Sequence, residues 1–153
     1  MLEIYVDGDA CPVKQEVLRV AGRHGLKVYM VGNTWLRGAE GPLVERVVVA
    51  EGADAADDWI AARIGPGDIA VTGDIPLAAR CLERGARALG LTGKPFTEAG
   101  IGMALALRDL KSHLRETGEI TGGPPGFTRQ DRSRFLSALE EAIQSLRRAQ
   151  ART

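Results

Sequence analysis

Apolar positions in this chain come as short β-prone runs that end at glycine or aspartate, alternating with stretches of helical spacing. Residues 2–7 read as a strand that runs into Asp7-Gly8-Asp9, and Pro12 stands where a helix would begin. Val13, Val17, Leu18 and Val20-Ala21 continue as a helical stripe to about residue 23, and His24-Gly25 stops it. Residues 26–31 form a second strand, bounded by Gly32-Asn33. Residues 34–42 are a loop carrying Trp35 and Arg37. Residues 46–50 are a third strand, a nearly continuous valine run of the kind that a sheet covered on both faces requires.

Residues 54–64 then read as a helix, with Ala55, Ala56, Trp59 and Ile60 available for packing. Residues 68–72 are a fourth strand, followed by Gly73-Asp74 and by Pro76 opening a helix to about residue 84. Residues 87–90 are a fifth, brief strand. The order β-α-β-β-α-β-α-β, with right-handed crossovers, predicts an open α/β sheet that is mostly parallel, of about five strands, with helices on both faces. Beyond it, Thr97 is placed to cap a helix to about residue 115, with Ile101, Ala104, Leu105, Leu107, Leu110 and Leu114 as its inner face; Gly100 and Gly102 oppose that helix near its start. Gly122-Gly123-Pro124-Pro125-Gly126 is a linker. Thr128-Arg129-Gln130-Asp131 resembles a capping box for a last helix at about 128–148, which would bury Phe135, Leu136, Leu139, Ile143 and Leu146. At 153 residues, the expectation is one domain over 1–153 that includes this helix.

Composition narrows the class without naming a function. Hydrophobic residues make up 44% and charged residues 26%, as in a globular chain and not a disordered one. The formal net charge of zero removes any global electrostatic argument for nucleic acid. Its distribution is uneven: residues 1–107 carry 11 basic and 14 acidic residues, residues 108–153 carry 9 and 6. A basic segment after an acidic body suits a phosphate-binding rim beside a metal site, and equally a set of solvated helices. The N-terminus shows neither a basic region nor a long apolar run, and no stretch approaches the ~20 apolar residues of a membrane span. Cys11 and Cys81 have no paired-cysteine spacing, and His24 and His113 stand in no motif. Both thiols are read as reduced, in a cytoplasmic protein; Cys81 as core, Cys11 as close to the acidic turn without a partner that would make it a nucleophile.

Three groups of acids carry the candidate chemistry. Asp7 ends a strand and Asp9 stands near a helix start, in the region beyond strand ends where α/β sheets bind ligands. Asp54, Asp57 and Asp58 share helical faces. Asp74 repeats the first pattern: apolar strand, glycine and aspartate, proline, helix. Each group has a structural alternative, since Asp9, Asp54 and Asp74 all stand where an N-cap would and Asp57 where a first-turn acid favours the helix dipole. Together they favour a hard divalent ion, Mg²⁺ or Mn²⁺, of which about four carboxylates can hold one or two at a phosphodiester. Lys14, Asn33, Arg37, Thr72, Arg129, Arg132 and Arg134 are candidate contacts to substrate or phosphate. Trp35 would stack a base or plug the surface.

Several of these stretches resemble the YaiI/YqxD family of uncharacterised bacterial proteins, which are PIN-like domains. The matching pieces are Val6-Asp7-Gly8-Asp9-Ala10-Cys11-Pro12, Asn33 with Leu36-Arg37, Asp54-Ala55-Ala56-Asp57, Thr72-Gly73-Asp74-Ile75-Pro76-Leu77-Ala78, Thr121-Gly122-Gly123-Pro124, and Asp131-Arg132 with Phe135. They follow the family order and cover nearly the whole chain, with Gly8 and Gly73 standing where many relatives carry alanine. The resemblance implies the strand order 3-2-1-4-5, with strands one and four adjacent, so that Asp7 and Asp74 meet. It further implies a metal-dependent nuclease, with RNA as the expected substrate. In that reading Asp7, Asp57 and Asp74 are catalytic metal ligands and Asp9 and Asp54 support them.

Two other classes remain open. Asp7-Gly8-Asp9 after a strand also resembles a phosphatase of the haloacid dehalogenase type, with Asp7 as nucleophile and Thr72 as its second motif. The chain order opposes it, because Asp57-Asp58 precedes Thr72 whereas that family places its acidic pair later. The third class is a non-catalytic nucleic-acid-binding or regulatory module that keeps the fold.

Overall fold

The computed structural model describes residues 2–9, 11–33, 40–50, 54–116 and 127–151, and only the backbone of residues 112–116. The expected positions of Trp35, Arg37 and the linker at 122–126 lie outside the described residues. The strands are β1 (Glu3–Asp7), β2 (Lys27–Gly32), β3 (Val44–Val48), β4 (Ile69–Val71), β5 (Arg87–Leu89) and β6 (Pro95–Phe96). The helices are α1 (Lys14–His24), α2 (Ala55–Arg63), α3 (Ile75–Glu83), α4 (Glu98–Glu116) and α5 (Arg129–Ala151).

One sheet runs in the order β3-β2-β1-β4-β5-β6. Every pairing is parallel except that of β6 with β5. The expected order 3-2-1-4-5 is therefore present, with a two-residue antiparallel strand added at one edge. Pro95 can stand there because an edge strand does not need every N–H. Alternate residues of each central strand feed two cores, as the two-residue period of a strand dictates. Ile4, Val6, Val28, Met30, Ile69 and Val71 meet α1 and α5 on one face. Tyr5, Val31, Ala70 and Ala88 meet α2 and α3 on the other. A strand segment buried on both sides must be apolar throughout, which is what Ile4-Tyr5-Val6 of β1 and the whole of β4 show.

Three expectations need correcting. α1 starts at Lys14, after a turn containing Pro12 and Val13, so Pro12 lies before the helix and not in its first position. β3 lies two residues earlier than expected. It is the outermost strand of the sheet, paired on one side only, with Glu45 and Val48 exposed. The inner face expected of α4 is only partly inner: Ile101, Ala104 and Leu105 are half-buried, whereas Leu107 and Leu110 are 47% and 52% exposed. α4 packs on α3, and a 19-residue helix is about 28 Å long against about 13 Å for a nine-residue one. Its second half simply outruns its support.

α5 forms as expected, and its box closes. The Thr128 N–H donates to Asp131 Oδ2 and the Asp131 N–H to Thr128 Oγ1, both at 3.0 Å. Phe135, Leu139 and Ile143 are fully buried in the same cluster as β1, β4 and α1, with Leu146 nearly so. Phe135 is the largest of the fully buried side chains. Phe135→Ala is therefore expected to cost about 3–5 kcal/mol in urea unfolding, with the dependence on denaturant unchanged. A loss below about 1 kcal/mol would mean that α5 is not part of this core.

Candidate acidic site at the carboxyl edge of the sheet

The centre of the site follows from strand register. Val6 pairs with Val71, so one residue further on Asp7 and Thr72 face each other. The Thr72 hydroxyl donates to Asp7 Oδ2 at 3.1 Å and accepts the Asp74 N–H at 2.9 Å. Thr72 is 1% exposed, so both of its hydrogen-bonding roles serve the protein: it positions the two acids and is not a surface for substrate. Asp74 caps α3, its Oδ1 accepting the Leu77 N–H at 3.0 Å, with Pro76 in the first turn. The capping role is thus real, and it locks Asp74 toward the end of β1.

Asp9 does not cap α1. Its Oδ2 instead accepts the Asn33 N–H at 2.8 Å, at the end of β2. A Cβ on Gly32 would lie 2.8 Å from Asp9 Oδ1, so glycine is what lets this carboxylate rest on the neighbouring strand. The Asn33 side chain donates to the Ala50 carbonyl and so ties the loops after β2 and β3. Gly8 N–H donates to Val31 O at 2.7 Å and Lys14 Nζ to Gly8 O at 3.4 Å. The loop between Asp7 and Asp9 is therefore held from three sides.

The acids of α2 divide. Asp54 stands at the N-cap position of α2, is exposed, and makes no side-chain capping bond. Asp58 pairs with Arg80 on the surface at 2.8 Å. Asp57 is half-buried and faces the central acids. Burial, then the charges of Asp74, Asp7 and Asp54, raise its carboxyl to about 6. Asp7 is raised too, chiefly by burial and then by Asp74 and Asp9, against the Thr72 hydrogen bond, which lowers it.

Asp7, Asp9 and Asp74 line a cavity of about 380 Å³ with Gly73, Leu91 and Arg108. Arg108 was not among the residues singled out in the sequence. It belongs to the basic segment 108–153, and nothing in its local sequence signals that α4 carries it back to the strand ends. Arg129 and Arg134 are exposed on α5 and do not line this cavity. Arg132 is committed to structure: it pairs with the nearly buried Glu16 at 3.0 Å, donates to the Pro12 carbonyl at 2.7 Å and lies over the Phe127 ring. Burial pushes the thiols of Cys11 and Cys81 up, Cys81 to about 12, so neither is an activated nucleophile. Among the described residues, no three His, Cys, Asp or Glu side chains are gathered tightly enough to hold a metal ion as they stand.

This is an open α/β sheet with a carboxylate cluster where its two central strands end. The family model described as "Uncharacterized BCR, YaiI/YqxD family" matches residues 5–145, and the chain belongs to that family. It is 62% identical over 148 residues to a "UPF0178 protein" of Parvibaculum lavamentivorans, with 97% of each chain covered. It is 58% identical over 146 residues to a "UPF0178 protein" of Rhodopseudomonas palustris, covering 95% of this chain and 94% of the relative. No solved structure matches the chain significantly. No described helix is long and apolar enough to cross a membrane.

Repulsion among the acids has a measurable sign. Folding raises Asp57 from 3.8 to about 6, so between those values the native state holds a proton that the unfolded chain has lost. Its contribution is therefore neutral at low pH, where both states are protonated, turns unfavourable as pH rises through about 4–6, and stays unfavourable above. Asp57→Asn should raise the melting temperature of metal-free protein at pH 7, and the gain should fade on acidification through that window. A gain independent of pH would show that Asp57 does not feel Asp7 and Asp74.

Proposed function

We propose that this protein is a divalent-metal-dependent nuclease that hydrolyses phosphodiester bonds, with RNA as its substrate. The observation that carries this reading is the meeting of Asp7, Asp9 and Asp74 in one open cavity beside Arg108. The donors are carboxylate oxygens, the kind that Mg²⁺ and Mn²⁺ take. They repel one another when uncompensated, as the raised Asp57 carboxyl indicates. Asp7, Asp57 and Asp74 would hold the ion, with Asp9 and Asp54 in support. When bound, such an ion supplies an activated water and stabilises charge at the phosphate.

The chain's own residues do the rest. Thr72 fixes Asp7 and the Asp74 backbone in one geometry, and the α3 cap removes rotamer freedom from Asp74. The Asn33 N–H holds Asp9 at the rim. Arg108 offers a guanidinium to non-bridging phosphate oxygens. Arg129 and Arg134, exposed on α5, would meet an anionic partner from that helix. We also read the protein as cytoplasmic, in keeping with its two buried free thiols.

Asp74→Asn separates an ion ligand from a mere cap, because asparagine caps as well as aspartate. An ion at one hundred times its Kd stabilises the native state by ~2.7 kcal/mol, a rise of roughly 5–10 °C for a chain of this size. Wild type should show that rise with millimolar Mn²⁺ and cleave single-stranded RNA. Asp74→Asn should melt at or above wild type in chelator, since one repelling charge is gone and the cap is kept, lose the rise with Mn²⁺, and lose cleavage by on the order of a hundredfold or more. An equal Mn²⁺ response in both proteins would remove Asp74 from the site. A phosphoenzyme trapped on Asp7 would replace the nuclease with a phosphatase, and metal binding without cleavage would leave a binding module.

A further inference from the structure

The exposed half of α4 is not an idle overhang. Arg108 lines the acidic cavity, and it also lines a second one of about 460 Å³ with Gly73, Ile75, Ala104, Leu107 and Lys111. The two cavities share Arg108 and Gly73, and Gly73 is an exposed glycine with no side chain to divide them. Together they form one trough that leaves the acids and runs along α4. Its chemistry alternates. Ile75, Ala104 and Leu107 give an apolar wall, and Arg108 and Lys111 give two cations on one helical face.

Residues three apart on a helix stand about 5–6 Å apart at Cβ, which suits two successive phosphates of an extended strand. Neither cation is tightly neutralised. Among the described residues Arg108 has only a long, exposed pairing with its neighbour Asp109 at 3.7 Å, and Lys111 has no ion pair. An acidic peptide would bring charge without flat apolar surface. A single-stranded polynucleotide brings both in alternation, and a single strand, unlike a duplex, can bend one phosphate into the end where Asp7 and Asp74 lie.

We propose that the trough formed by Arg108, Lys111, Leu107 and Ile75 is the track that binds a single-stranded polynucleotide and leads it to the acidic site. The proposal rests on the nuclease reading for its direction, but the track can be tested without catalysis. The test is fluorescence anisotropy of a labelled twelve-nucleotide oligouridylate RNA, in chelator, from 25 to 200 mM KCl. Wild type should bind. Arg108→Ala/Lys111→Ala should bind at least tenfold more weakly at 50 mM KCl, and its salt slope should fall by about 1.4, or about 0.7 per lost phosphate contact.

Lys111→Glu should weaken binding further than Lys111→Ala. Arg19→Ala, an exposed cation on α1, should match wild type. The same RNA in a duplex should bind more weakly than the single strand. Absence of binding by wild type, an unaltered slope in the double variant with native melting, or equal binding of duplex and single strand would each overturn the track. Binding that follows these expectations with no cleavage in Mn²⁺ would sustain the track and overturn the nuclease reading.

Discussion

Parallel pairing of β1 with β4 sets Asp7 opposite Thr72, and one buried hydroxyl then joins the two acidic turns. Most of the site depends on that joint. Donating to Asp7 and accepting from the Asp74 N–H, Thr72 uses both of its capacities inside the protein. The Asp74 side chain is left to cap α3 and to face Asp7. A buried hydroxyl with two partners costs little, whereas one with a missing partner costs about 1–3 kcal/mol. The same bond opposes the rise of the Asp7 carboxyl. Strand register, helix capping and carboxylate charge thus meet at one residue.

The cluster is costly in isolation and is held by groups that have little choice. Asp9 rests on β2 because Gly32 makes room and the Asn33 N–H is there to meet it. Asp57 meets the charges of Asp74 and Asp7 because it lies one turn before Ala61, at the margin of the face that Ala56, Ile60 and Ala61 press into the core. A group of like charges fixed on a rigid frame is disfavoured without a counter-charge and favoured with one, and the cations present, Arg108 and Arg80, stand at its rim. An ion or a phosphate strand would each relieve part of that repulsion.

Much of this was legible in the residues. The strand-acid-proline pattern appears twice, and from β1 to β5 strands alternate with helices everywhere but between β2 and β3, which implies a mostly parallel sheet. The adjacency of β1 and β4 came with the family resemblance, since periodicity names elements and not their neighbours. What stayed hidden depends on packing at a distance. Asp9 looked like a cap because it precedes α1, and only the third dimension shows β2 claiming it. Leu107 and Leu110 fit a buried stripe, but a stripe does not reveal that α3 ends before α4 does. Arg132 has the sequence setting of a phosphate contact, but its partners, Glu16 and the Pro12 carbonyl, lie 116 and 120 residues away in sequence. Arg108 was missed for the same reason: its relation to Asp74 exists only through the α3–α4 packing.

The claim at the centre is that Asp7, Asp57 and Asp74 form one electrostatic unit that a divalent ion relieves. Carboxyl titrations by nuclear magnetic resonance, carried out in chelator and with saturating Mg²⁺, read it directly. The account predicts that Asp57 titrates near 6 without metal, that Asp7→Asn lowers its midpoint, and that Mg²⁺ lowers it in wild type. An Asp57 midpoint near 4 that neither Asp7→Asn nor Mg²⁺ moves would contradict it.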